Sequence, residues 1–150
     1  MIRILFVCTG NTCRSPMAEA ILKSKGIPGI EVKSAGVFAA NGASASQHTQ
    51  TVLKEQNITH DHRSSMLTEE SVNWATYILT MTWSHKDSIN NMFPMAAGKT
   101  FTLKEFAEGD SYGDISDPFG GPLELYRQTY KELHDIIDKI IKKIEKAGDS

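Results

Sequence analysis

Cysteine is scarce in this sequence: Cys8 and Cys13 are the only two, with four residues between them. That is too few for a disulfide scaffold, and no second ligand pair accompanies them as a structural zinc site would need. Catalytic or redox use is what remains for them. Long hydrophobic runs are also missing. The apolar opening, residues 2–7, falls far short of the roughly 20 residues that cross a bilayer. It carries no extended basic leader and ends at a polar loop rather than a cleavage site, so a cytoplasmic protein with no membrane partner is expected. Dense basic runs are absent outside the C-terminal segment, and the formal charge is -2. Bulk attraction to nucleic acid is thereby excluded, and any anion site must be local.

What is present is ordinary globular material: 150 residues, 40% hydrophobic and 23% charged. This suffices for one domain over residues 1–150 that buries about two-thirds of its unfolded surface. Residues 2–7 are nearly all apolar and rich in β-branched and aromatic types, which suits a strand buried on both faces of a parallel sheet. Ser15 as N-cap and Pro16 in the first helical position predict a helix that Gly26 stops. Alternation over residues 30–35 predicts a strand, residues 46–56 a modest helix, and Thr68 followed by Glu69 and Glu70 a short capped helix. Residues 77–81 read as another buried strand, 83–92 as a helix and 99–103 as a final strand.

The stretch from Gly109 to Gly121 is rich in Gly, Asp, Ser and Pro and is expected to be an exposed loop, with Asp110 and Asp114 as solvated turn residues. Leu133, Ile136, Ile137, Ile140, Ile141 and Ile144 recur at helical spacing and define an amphipathic helix packed on the sheet, its lysines solvated. Alternating strands and helices imply an α/β fold: an open parallel four-stranded sheet, flavodoxin-like, with helices on both faces. Ligands of such sheets bind beyond the strand C-terminal ends.

Cys8 stands at that end of the first strand. Five residues separate it from Arg14, so a short loop can hold a thiolate and return a guanidinium beside it. A helix N-terminus and a neighbouring cation both favour thiolate over thiol, and the Ser15 hydroxyl can hydrogen-bond the sulfur. Around Thr9, Gly10, Asn11, Thr12 and Cys13, successive backbone N–H groups can converge on phosphate oxygens, with Gly10 supplying the unusual dihedrals of an anion-binding concavity. Asn11 can pin the loop through its side chain. Arg14 can grip two equatorial oxygens in a bidentate fork, which a lysine cannot. A phosphoryl group leaving its parent molecule needs a proton, and Asp117, held extended by Pro118 in a glycine-containing loop, is the candidate donor.

These residues resemble the low-molecular-weight protein tyrosine phosphatase family. Cys8-Thr9-Gly10-Asn11-Thr12-Cys13-Arg14-Ser15-Pro16 is similar to its N-terminal signature, Asp117-Pro118 to its late general-acid motif, and Ser34-Ala35-Gly36 and the closing helix extend the likeness over nearly the whole chain. The resemblance implies that Cys8 attacks phosphorus, Arg14 stabilises the transition state, and Asp117 protonates the leaving group and then activates water against the phosphocysteine. No metal or other cofactor is implied. It further implies that Asn11, Ser34 and His60 form a network fixing the loop, the alternative for His60 being a surface turn.

Thr12 departs from the aliphatic residue usual in the tyrosine-specific members and resembles the bacterial protein-arginine phosphatase branch. Phosphoarginine in proteins is therefore the expected substrate, with phosphotyrosine as the alternative and Phe119 as a pocket wall. Cys13 reads either as a small buried residue or as a thiol that traps oxidised Cys8 as a disulfide. An arsenate reductase would need further thiols downstream, and this chain has none after Cys13. A phosphocarrier would not need the acid Asp117. His60 and His62, flanking Asp61, lack a recognisable third ligand and are expected to face solvent without a metal.

Overall fold

A computed structural model describes residues 1–109 and 113–148. β1 (Ile2–Cys8) lies between β2 (Ile30–Gly36) and β3 (Tyr77–Thr80), and β4 (Thr100–Thr102) pairs with β3. All three pairings are parallel, giving the order β2-β1-β3-β4. The uninterrupted apolar character of β1 follows from its position. Ile4, Phe6 and Cys8 turn to a core shared with α1 (Arg14–Ser24) and α6 (Leu123–Gly148), while Leu5 and Val7 turn to the other face, beneath α3 (Glu69–Trp74) and α4 (Trp83–Met92). The chain leaves β1 to lay β2 on one side and later returns to lay β3 on the other. Cys8 ends β1 at this switch in strand order, where ligands of open parallel sheets bind.

Local chemistry sets most helix boundaries. α1 ends at Ser24, with Gly26 at φ 60° just beyond. α2 (Gln47–Glu55) starts from Ser46, whose hydroxyl accepts the Thr49 N–H, and Thr68 caps α3 with Glu69 and Glu70 in the first turn. On α6, the six apolar residues from Leu133 to Ile144 that form the expected stripe are all buried. No helix among the described residues is long and apolar enough to cross a membrane.

The start of α1 differs from expectation. Its N-cap is Cys13, with no side-chain cap bond, so Ser15 lies inside the first turn and Pro16 at the third helical position. Proline costs no intrahelical hydrogen bond there, because the first-turn N–H groups lack partners anyway. Two short elements were not anticipated: a 3-10 turn at Pro94–Lys99 and α5 (Leu103–Glu108), which Thr102 and Glu105 close as a reciprocal capping box. The lysines of α6 are not simply solvated, since Lys139 pairs with Glu108 at 2.6 Å and Lys143 donates to the Phe106 carbonyl at 2.7 Å. Asp114 is no free turn residue either. Its carboxylate accepts the Trp83 N–H at 2.8 Å, at the start of α4. Asp110 lies outside the described residues.

Candidate active site

Residues 9–13 carry the chain from β1 into α1, and the end of β2 holds that loop in place. The N–H groups of Val37 and Phe38 donate to the carbonyls of Cys8 and Thr9 at 3.0 and 2.9 Å. Gly36 passes so close that a Cβ there would lie 2.4 Å from the Thr9 carbonyl oxygen and 3.0 Å from the Asn11 nitrogen. Only glycine leaves room for the loop.

Asn11 sits at the centre of the loop, fully buried and at φ 57°. Its Nδ2 donates to Ser15 Oγ at 2.8 Å and to Ser34 Oγ at 2.9 Å, and its Oδ1 accepts the Ser65 N–H at 2.9 Å. Its carbonyl lies 2.7 Å from His62 Nε2. The left-handed backbone expected at Gly10 is thus found at Asn11, a residue type that tolerates it. Gly10 lies outside that region, and a Cβ on it would meet only Thr12 Oγ1 at 3.7 Å.

Ser15 Oγ accepts from Asn11, which leaves its own hydrogen for Cys8 Sγ, 2.8 Å away. A thiolate needs such a donor. The almost wholly buried Arg14 donates from Nη1 to the Ile115 carbonyl at 2.8 Å, and its Nη2 lies 3.6 Å from Asp117 Oδ2. Ile115 is fixed in turn by its N–H bond to the Met81 carbonyl at 2.8 Å, and Asp117 Oδ1 accepts the Phe119 N–H at 3.0 Å. The downstream loop is therefore pinned to the end of the sheet. One cleft of about 220 Å³ is lined by Cys8, Thr9, Gly10, Thr12, Cys13, Arg14, Asp117 and Phe119. A larger hollow of about 340 Å³, between Ile27 and Trp74, contains no thiol and none of the candidate residues.

Residues 3–150 match the family described as low molecular weight phosphotyrosine protein phosphatase. The chain belongs to this family. A protein-arginine-phosphatase of Geobacillus stearothermophilus is 59% identical over 143 residues, covering 95% of this chain and 96% of the relative. The solved YwlE arginine phosphatase from Geobacillus stearothermophilus aligns with a TM-score of 0.96 at 57% identity, over 98% of this chain and 95% of that one. A YwlE arginine phosphatase mutant with a phosphorylated active-site serine aligns at a TM-score of 0.93 and 45% identity, over 97% of both chains.

In this member of the phosphatase family the loop support extends beyond Asn11 and Ser34. Ser34 Oγ donates to Glu19 on α1, and Lys23 pairs with the other Glu19 oxygen at 2.8 Å. Burial alone would raise the Glu19 carboxyl, but His60, His62, Lys23 and Ser34 around it hold it well below the usual carboxylate range. The loop contact expected of His60 is made by His62. His60 Nε2 stops 3.6 Å from Glu19 Oε1, beyond hydrogen-bond reach, and both imidazoles are buried rather than facing solvent. Cys13 is a buried free thiol, as is Cys8, and its sulfur lies 3.6 Å from the Tyr126 hydroxyl. Burial and the Cys13 hydrogen bond push the Tyr126 phenol up to about 12.

Thr9 Oγ1 lies 2.8 Å from His85 Nε2, and Thr82 Oγ1 lies 3.0 Å from His85 Nδ1. Burial, and then the charge of Arg14, push this imidazole down to about 4, so it is neutral at ordinary pH. Of the supports that sequence reasoning missed, His62 alone stood in a visible pattern. Glu19, His85 and the Ile115 carbonyl reach the site only through tertiary packing, and Gly36 stood in the Ser34-Ala35-Gly36 likeness without a role of its own.

Proposed function

We propose that the protein is a protein-arginine phosphatase, hydrolysing phosphoarginine in proteins with Cys8 as nucleophile. The observation that carries this reading is the convergence of Cys8, Arg14 and Asp117 on one cleft whose wall includes Thr12. Ser15 and the N-terminus of α1 stabilise the Cys8 thiolate, while the backbone N–H groups of the loop receive the phosphoryl oxygens. Substrate binding frees Asp117 from its ion pair with Arg14 and lets its carboxylate take up a proton from solvent; as sulfur then bonds phosphorus, the P–N bond breaks and Asp117 gives that proton to the departing guanidine nitrogen. Arg14 shifts from its ion pair with Asp117 onto the equatorial oxygens, where charge develops. Asp117 then takes a proton from water, the hydroxide attacks phosphorus, and the S–P bond breaks to release phosphate and the thiolate.

Thr12 distinguishes the substrates. Its hydroxyl offers a polar contact to a guanidinium or to the attacking water, where an aliphatic side chain would pack against a phenol ring. Similarity to the arginine phosphatase of Geobacillus stearothermophilus supports the same choice. Initial rates on matched phosphoarginine and phosphotyrosine peptides test it. The first should exceed the second, and Thr12→Ile should move the ratio at least tenfold towards phosphotyrosine, about 1.4 kcal/mol of differential transition-state binding. Phosphotyrosine turnover equal to or above that of phosphoarginine defeats the arginine reading and leaves a tyrosine phosphatase of the same family, with the exposed Phe119 packing on the ring.

Two free thiols suit a reducing, cytoplasmic setting. Under peroxide, Cys8 oxidised to the sulfenic acid condenses with the Cys13 thiol, releasing water and forming a disulfide that thiol reductants reopen. Peroxide-treated enzyme should regain activity with dithiothreitol, and Cys13→Ala should regain far less; equal recovery removes Cys13 from this role.

A further inference from the structure

We propose that Glu19, His60 and His62 form a binding site for a divalent transition-metal ion of the zinc class, separate from the phosphate cleft. Two of these residues lie in the segment before α3 and the third on α1, so the topology rather than the sequence assembles them. One ligand atom from each lies within 4.8 Å of the others, and both His60 Nε2 and His62 Nδ1 lie 3.6 Å from Glu19 Oε1. Ligands at about 2.1 Å from a tetrahedral ion are separated by about 3.4 Å, so the two imidazole–carboxylate separations already approximate those of a filled site.

The hydrogen bonding of the cluster leaves ligand atoms available to a metal ion. Among the described residues His60 Nε2 has no hydrogen-bond partner, though it is buried, on a side chain only 8% exposed. His62 Nε2 bonds the Asn11 carbonyl, which can only accept, so Nε2 carries a hydrogen and Nδ1 is the nitrogen left to face the Glu19 carboxylate, 3.6 Å away. A metal ion or a proton can bridge Nδ1 and the carboxylate, and the two compete for the same place. Ser34 and the half-exposed Lys23 orient Glu19, just as the Asn11 carbonyl orients His62, the outer contacts that metal-binding carboxylates and imidazoles require. Two imidazoles and one carboxylate suit Zn²⁺, with water completing the tetrahedron. Through His62 and Ser34 the ion would clamp Asn11, stiffening the loop under the nucleophile.

The site rests on neither Thr12 nor the identity of the substrate, so it can fail while the phosphatase reading stands, and the reverse. Thiolates also bind zinc, so the test uses the full chain with Cys8→Ser and Cys13→Ser. Titration with Zn²⁺ should show one ion per chain and a rise in melting temperature, and adding His60→Gln should weaken binding at least tenfold. Co²⁺ should give tetrahedral d–d absorption and paramagnetic shifts on the rings of His60 and His62. The Co²⁺ spectra need no further substitution, so they decide the matter even if the His60→Gln chain folds poorly. Absence of binding, binding undiminished by His60→Gln, or shifts confined to the other histidines overturns the proposal, and the cluster is then held by protons alone.

Discussion

Asn11 makes four hydrogen bonds from one buried residue, to Ser15, Ser34, Ser65 and His62, and so converts a left-handed backbone position into a fixed one. His85 does the complementary work on Thr9, and its cost is readable in pH. The unfolded imidazole takes a proton near 6.5 but the folded one only near 4. Between those values the unfolded chain binds more protons, so stability falls as pH falls; above pH 6.5 the His85 contribution is complete. The loss should be on the order of 2 kcal/mol between pH 7 and pH 4. Urea unfolding at pH 7 and pH 4.5 isolates it, because His85→Asn should lose less stability than the wild type over that interval. Equal losses would mean that the folded ring titrates normally.

At the scale of elements, the end of β2 shapes the loop that follows Cys8. Gly36→Ala would drive a methyl group into the Thr9 carbonyl, so the loop must shift while the hydrophobic sheet persists. A displacement near 1 Å at reacting groups costs on the order of a hundredfold in rate. We expect kcat to fall by about that factor with the circular dichroism spectrum unchanged; an active Gly36→Ala enzyme would show that the loop can relax. β1 and α6 were legible in the sequence because period and burial coincide in each of them. α5 was missed although Thr102 and Glu105 spell its capping box, because the apolar residues around it read as strand. Ser15 misled for a related reason: a good capping residue was taken by the stronger demand of a buried thiol for a donor.

At the scale of the whole molecule, the site joins segments far apart in the chain. Arg14 and the Ile115 carbonyl it grips are 101 positions apart, and the loop carrying Asp117 reaches the cleft because Ile115 is stitched to the end of β3 through Met81. The two motifs were readable because their chemistry is local to each. The Glu19–His62 support was not, since nothing in a linear pattern places a helix carboxylate against a distant imidazole. Asp117→Asn keeps the shape and removes the proton, so phosphoarginine turnover should fall by about a hundred to ten thousand times, and the pH–rate profile should lose the limb that Asp117 contributes. Turnover within a few-fold of wild type would send the search for the acid elsewhere. Thr12, finally, is held by its backbone, whose carbonyl accepts the Ser46 N–H at 2.8 Å, while its hydroxyl makes only a 3.9 Å contact with Cys13 Sγ. The fold asks little of that side chain, so if Thr12 selects the substrate as proposed, a lineage could change what the enzyme dephosphorylates by a single exchange at position 12 without rebuilding the machinery that breaks the bond.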